Sequence, residues 1–183
     1  MAAKKNILHM PEKILLFGSW NSFPGMNPFS VDLPDGTKRI EGSVVIIKST
    51  SRGSVKAETP KAFISRTLLA KEHWNDVLAC GCNDDLEMIV SNKRVVRKDV
   101  LRDNIELVPP FSFPGKLLAI LFKRFEWCNG AAEKGLVIYC VEQHEDNIEA
   151  LQKILVELAH LNNLQPAFLD WIESANHFYN KYS

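Results

Sequence analysis

The sequence has no excess of charge, no long apolar run and no cysteine framework, and each absence removes a class of function. Its 22 lysines and arginines balance 22 aspartates and glutamates. Nothing in the bulk therefore draws it to nucleic acid or to an anionic membrane surface. No apolar stretch reaches the length of a bilayer-spanning helix. The start, MAAKKNILHM, has two adjacent lysines but no long apolar core behind them, which makes no secretion signal. Cysteine is scarce. Cys80, Cys82, Cys128 and Cys140 form neither a CxxC pair nor a zinc knuckle, so no metal site is expected. Scattered thiols predict a reducing, cytoplasmic setting. Internal repeats and low-complexity tracts are missing as well. At 183 residues, 46% of them hydrophobic, the chain predicts one well-buried domain over residues 1–183.

What is present is an alternation of strands and helices. KILLF (13–17), SVVIIK (43–48), LEMIV (86–90) and GLVIYC (135–140) read as strands. All but LEMIV lack clear polar alternation, which predicts burial on both faces, as in a parallel sheet covered by helices. Helical spacing runs through AFISRTLLAKEHWNDVLACG (62–81), with Trp74 in the core and His73 at the surface, and through GKLLAILFKRFEW (115–127). DNIEALQKILVELAHL carries Asp146 as N-cap and Glu149 three positions on. A last helix starts at Pro166 and runs through PAFLDWIESANHFYNKY. This order predicts an α/β fold with right-handed crossovers. Residues 50–60 read as an exposed loop and VPPFSFPG (108–115) as a stiff one.

The most informative shortage is glycine after the first strand. ILLFGSWNSFPGMNP (14–28) begins as a phosphate-gripping turn would, with Gly18 after an apolar run. A dinucleotide site then needs a second glycine, so that main chain can approach the diphosphate, and a helix whose N-terminus faces it. Trp20 stands where that glycine is wanted, and its indole blocks the approach. Pro24, Gly25, Pro28, Pro34 and Gly36 fall between residues 19 and 42. One interior proline costs a helix about 3 kcal/mol, so a long helix is excluded. FSVDLPDGTKRIEG instead predicts a β-hairpin turning at PDG. The second strand ends in Lys48, Ser49 and Thr50, with Arg52 beyond, rather than in an acid that would accept ribose hydroxyls. That leans away from NAD and suits either a 2′-phosphate or a solvated loop.

PEKILLFG, GSVVIIKST, EHWNDVLACGCNDDLEMIVSN, FPGKLLAILFKRF, KGLVIYCVEQHEDNIEALQKILVELA and FLDWIESANHFYN together resemble the N-terminal half of the tagaturonate reductases (altronate oxidoreductases) of the mannitol dehydrogenase family. The resemblance runs in order from about residue 11 to 180. It implies a Rossmann-like, mostly parallel sheet flanked by helices, in which a loop and hairpin replace the first crossover helix. Members are NAD-dependent polyol and uronate dehydrogenases. In them the first strand leads into a pattern like FGxGNFxRAF. Here FGSWNSFPGM aligns Gly18 and Asn21 but puts Trp20 in place of a glycine. The family's third-strand Ser-Asn-Thr-Thr-Glu survives as Ser91 and Asn92, followed by Lys93 and Arg94. Lys116 matches the lysine of the family's FPxKL signature. The family's helical catalytic domain has no counterpart before Ser183, so no catalytic residue is carried over.

The positions left for a cofactor are Phe17, Gly18, Ser19, Trp20, Asn21, Lys48, Ser91 and Asn92, all at predicted strand C-termini. The alternative for each is an inherited turn residue. Glu142 and His144 invite an acid–base reading, yet acidic residues are also expected before a capped helix. Two functions remain open. The first is a degenerate nucleotide-binding-like domain, without cofactor, acting as an interaction or regulatory module. As such it would form a homodimer or meet a partner protein over the C-terminal aromatic surface of Trp171, Phe178, Tyr179 and Tyr182. The second is the NAD- or NADP-binding component of a sugar-acid oxidoreductase.

Overall fold

The computed structural model describes residues 10–18, 30–48, 63–93, 95, 102–141 and 147–180. Its frame is a six-stranded sheet built from β1 (Glu12–Phe17), β4 (Ser43–Lys48), β5 (Ile64–Leu69), β6 (Met88–Ser91), β7 (Val137–Cys140) and β8 (His177–Asn180). The spatial order is β5-β4-β1-β6-β7-β8, and every pair is parallel. This is an α/β, Rossmann-like sheet. The small hairpin of β2 (Ser30–Asp32) and β3 (Arg39–Glu41) stands apart from it. Among the described residues the helices are α1 (Trp74–Gly81), α2 (Phe113–Trp127), α3 (Asn147–Leu161) and α4 (Pro166–Ala175).

Strand alternation splits the sheet's side chains between two cores. Leu15, Phe17, Val45, Ile47, Ile89 and Ile138 face all four helices, against Trp74, Leu117, Leu121, Leu155 and Phe168. Ile14, Leu16, Val44, Ile46, Met88 and Val90 face the other way, against Val31, Leu33 and Ile40 of the hairpin and against Phe63. Right-handed crossovers explain the division. The steps from β1 to β4 to β5 run one way along the sheet, and the steps from β5 onward run back, so the two sets of connections lie on opposite faces.

The hairpin is held at both ends. Gly36, at φ 70°, makes the PDG turn, and Leu33 N–H donates to Lys38 O at 2.9 Å. The Tyr179 hydroxyl donates to Asp35 Oδ2 at 2.8 Å, tying the turn to β8. Glu87 binds Lys13 of β1 at 2.7 Å and Lys38 of the hairpin at 2.6 Å. Burial alone would raise the Glu87 carboxyl, but the hydrogen bonds and charges of Lys13 and Lys38 together outweigh it and hold the group below its ordinary value.

Two expected helices are shorter than their patterns suggested. Residues 64–69, expected to be helical, form the edge strand β5, and α1 begins only at Trp74. His73 marks the junction and is half-buried rather than at the surface; its Nδ1 accepts from Leu69 N–H at 3.1 Å. The last helix stops at Ala175 because Asn176, 4% exposed, donates from Nδ2 to the carbonyls of Trp171 (3.0 Å) and Ile172 (3.4 Å). Its Oδ1 accepts from Leu136 N–H at 2.8 Å, which sets β8 beside β7. Among the described residues no helix is long and apolar enough to cross a membrane.

Candidate functional site

In an open parallel sheet the connections from the central strand and its neighbour leave in opposite directions, and a crevice opens outside their carboxyl ends. Here that point lies between β1 and β6. Phe17 is in register with Ile47 on one side and Ser91 on the other. The register therefore gathers Phe17, Gly18, Lys48, Ser91 and Asn92 at one edge. Ser19, Trp20 and Asn21 lie outside the described residues, as do Arg94, Glu142, His144 and Asp146.

The gathered residues are mostly engaged by their immediate surroundings. The Phe17 ring is buried and meets Phe113 edge-on at 5.1 Å, so only its main chain faces the edge. Gly18 has φ 131°, a conformation open to glycine alone. Its N–H donates to Ile47 O at 3.2 Å. A Cβ on Gly18 would sit 2.6 Å from Asn92 Oδ1. That oxygen is buried and has no hydrogen-bond partner. Ser91, 1% exposed, accepts at Oγ from Lys93 N–H at 2.9 Å, a turn of the kind that serine often makes locally. Lys48 is half-buried, and its carbonyl accepts from Ala70 N–H at 2.8 Å.

The N-terminus of α2 completes this edge and already has an anion of its own. Ser112 caps the helix, its Oγ accepting from Gly115 N–H at 2.9 Å. Asp103, 7% exposed, accepts from Phe111 N–H, Ser112 N–H and Ser112 Oγ–H at 3.0, 2.7 and 2.5 Å. Gly115 is required beside it, since a Cβ there would overlap the Asp103 carboxylate. Lys116, also 7% exposed, donates to Phe111 O at 2.9 Å. Burial pushes its ammonium below the ordinary lysine range; Asp103 opposes the shift and Lys93 adds to it. Asp103 escaped the sequence reading because its partners are main-chain N–H groups up to nine positions away. The one available signal was a serine directly before Phe-Pro-Gly.

A dinucleotide tests poorly against these groups. Between β1 and β4 residues 30–42 contain a hairpin and no helix, so those residues offer no aligned N–H groups to a diphosphate. The Asn92 amide, not open space, flanks Gly18. The α2 terminus is neutralised from within. Among the described residues no group of three or more His, Cys, Asp or Glu side chains is placed to hold a metal. Cys80 and Cys140 are buried, and burial pushes the Cys80 thiol up to about 11, against the opposing charge of Arg66.

No family profile matches the chain. Individual proteins do. The altronate oxidoreductase of Halalkalibacterium halodurans is 27% identical over 92% of this chain and 38% of its own length. Those of Cronobacter sakazakii and Bacillus subtilis are each 28% identical, over 92% and 93% of this chain and 40% of their own. The chain thus spans about two fifths of the relatives it matches, and the match fits an N-terminal portion of that family. Among solved structures, the D-sorbitol dehydrogenase in substrate-free form aligns with a TM-score of 0.68 at 16% identity, over 94% of this chain and 42% of that one. The Pseudomonas fluorescens mannitol 2-dehydrogenase, in ternary complex with NAD and D-mannitol, aligns at 0.61 and 13% identity, over 94% and 41%. These structures share the fold.

Proposed function

We propose that this chain is a degenerate relative of the nucleotide-binding half of altronate oxidoreductases, without catalytic activity on its own, and that it acts as an interaction or regulatory module. The observation that carries this reading is the hairpin. Val31, Leu33 and Ile40 fill the second face of the sheet, where a first crossover helix would pack and aim its N-terminus at a diphosphate. A hairpin buries the same apolar face but brings no macrodipole. Hydride transfer also needs an oriented substrate and a proton donor, and the described edge supplies neither. Titration of the purified chain with NADH and NADPH tests this: no saturation up to about 1 mM is expected, whereas a Kd of about 10 µM or below overturns it.

A second reading is favoured by the retained switch point. The strand order, the left-handed Gly18 and the unpartnered Asn92 Oδ1 suit the cofactor-binding component of an NAD(P)-dependent sugar-acid oxidoreductase. Lys48 at the end of β4 then favours NADP over NAD, so NADPH would bind the tighter of the two.

A further inference from the structure

The C-terminal aromatic surface expected to meet a partner is largely turned inward. Trp171 is 3% exposed, and its indole N–H donates to Ala131 O at 3.0 Å; Phe178 packs on the helical core, and Tyr179 is tied to Asp35. Tyr182 lies outside the described residues. Exposed apolar bulk sits elsewhere. Phe111 is 82% exposed and Val108 72%, both on the loop between β6 and α2.

The part of that loop nearest α2 is held in place. Asp103 gathers three donors from Phe111 and Ser112, and Lys116 holds Phe111 O. Asn162, just past α3, accepts from Ile105 N–H at 3.1 Å and donates to Asp103 O at 3.3 Å. A solvated loop has no need to fix a phenylalanine in water, whereas a fixed aromatic knob is what a contact surface presents. Asp103, which anchors the knob, also lines a hollow of about 590 Å³. Ile105, Phe122 and Leu164, all half-buried, and Leu161, 57% exposed, supply the apolar part of its lining, and Asp103, Asn104, Asn162 and Asn163 add a polar part. Arg102 and Glu106, opposite in charge and both exposed, stand at its rim. Knob, hollow and complementary charges on one surface are the ingredients of an isologous contact, in which each group meets its complement across a two-fold axis.

We infer that the chain pairs with a second copy of itself, Phe111 of each copy entering the Ile105–Phe122–Leu161–Leu164 hollow of the other, with Arg102 facing Glu106 across the axis. The pairing gives the interaction-module reading its partner and rests on that reading for its role, but it is measured independently of nucleotide binding.

Sedimentation and light scattering over a concentration series test it. The expected mass is twice the 20.7 kDa of one chain. Phe111→Ser and Leu161→Glu each weaken dimerisation by about 30-fold or more with an unchanged far-ultraviolet spectrum, since both side chains are exposed. Arg102→Glu and Glu106→Arg each weaken it, and the double swap restores it. A wild-type chain still monomeric at about 100 µM, a dimer indifferent to Phe111→Ser and Leu161→Glu, a double swap that fails to restore pairing, or open-ended assemblies would each overturn the inference. A dimer that also binds NADH at micromolar Kd overturns the module reading alone; a monomer that binds none overturns the pairing alone.

Discussion

The two faces of the sheet are covered in different ways. One carries four helices whose side chains interlock: Phe168 lies within 5.0 to 6.3 Å of the rings of Phe122, Phe125 and Trp171. Arg124, 1% exposed, pins the lower ends of that layer by donating to the carbonyls of Lys134, Gly81, Asn83 and Leu86. The other face carries, among the described residues, a three-residue-per-strand hairpin and Phe63. Both arrangements exclude water from the strands. Only a helix also points a dipole at the strand ends, so on the proposed reading a hairpin on this face keeps the fold without supplying an anion site. Stability and ligand binding make separate demands on the same segment.

The comparison predicts unequal responses to truncation. Phe168→Ala on the helical face should cost about 3–5 kcal/mol, and Ile40→Ala on the hairpin about 2–4 kcal/mol, read from denaturant midpoints. Hydrogen exchange sharpens the contrast. Ile40→Ala should speed exchange in residues 31–40 and leave residues 117–121 protected, because a small hairpin opens by itself more readily than an interlocked helix layer. Equal acceleration in both would mean that the faces form one cooperative unit.

A smaller effect concerns the ion pairs beneath the hairpin. Glu87 is held below its ordinary value. Its contribution is therefore complete above about pH 4.5, where the unfolded chain is also ionised, and is lost as pH falls through the folded value. Glu87→Gln should flatten the acid limb of the stability–pH curve and leave its slope near neutrality unchanged. A steeper acid limb in the variant would contradict the role of Lys13 and Lys38.

The helical face was the more legible of the two in the sequence. Apolar spacing located α2, α3 and the start of α4, and unbroken apolar runs located β1, β4 and β7. β5 was hidden because Ser65, Arg66 and Thr67 are exposed at the sheet's edge, so no apolar run announced it. β8 was hidden because the bond that sets it beside β7, from Leu136 N–H to Asn176, spans forty positions, which no local pattern contains. The hairpin was legible from Pro34 and Gly36 at its turn. At the site edge, Gly18 could be read from the strand before it. The packing of Asn92 over Gly18 and the Asp103 anchor depend on tertiary approach and left no spacing to read.

The central claim is that the edge at Gly18 and Asn92 has lost its hold on a diphosphate. Backbone amide resonances of these two residues, followed as NADH is added to about 1 mM, test it most directly. The account predicts that neither moves; saturable shifts at both would contradict it.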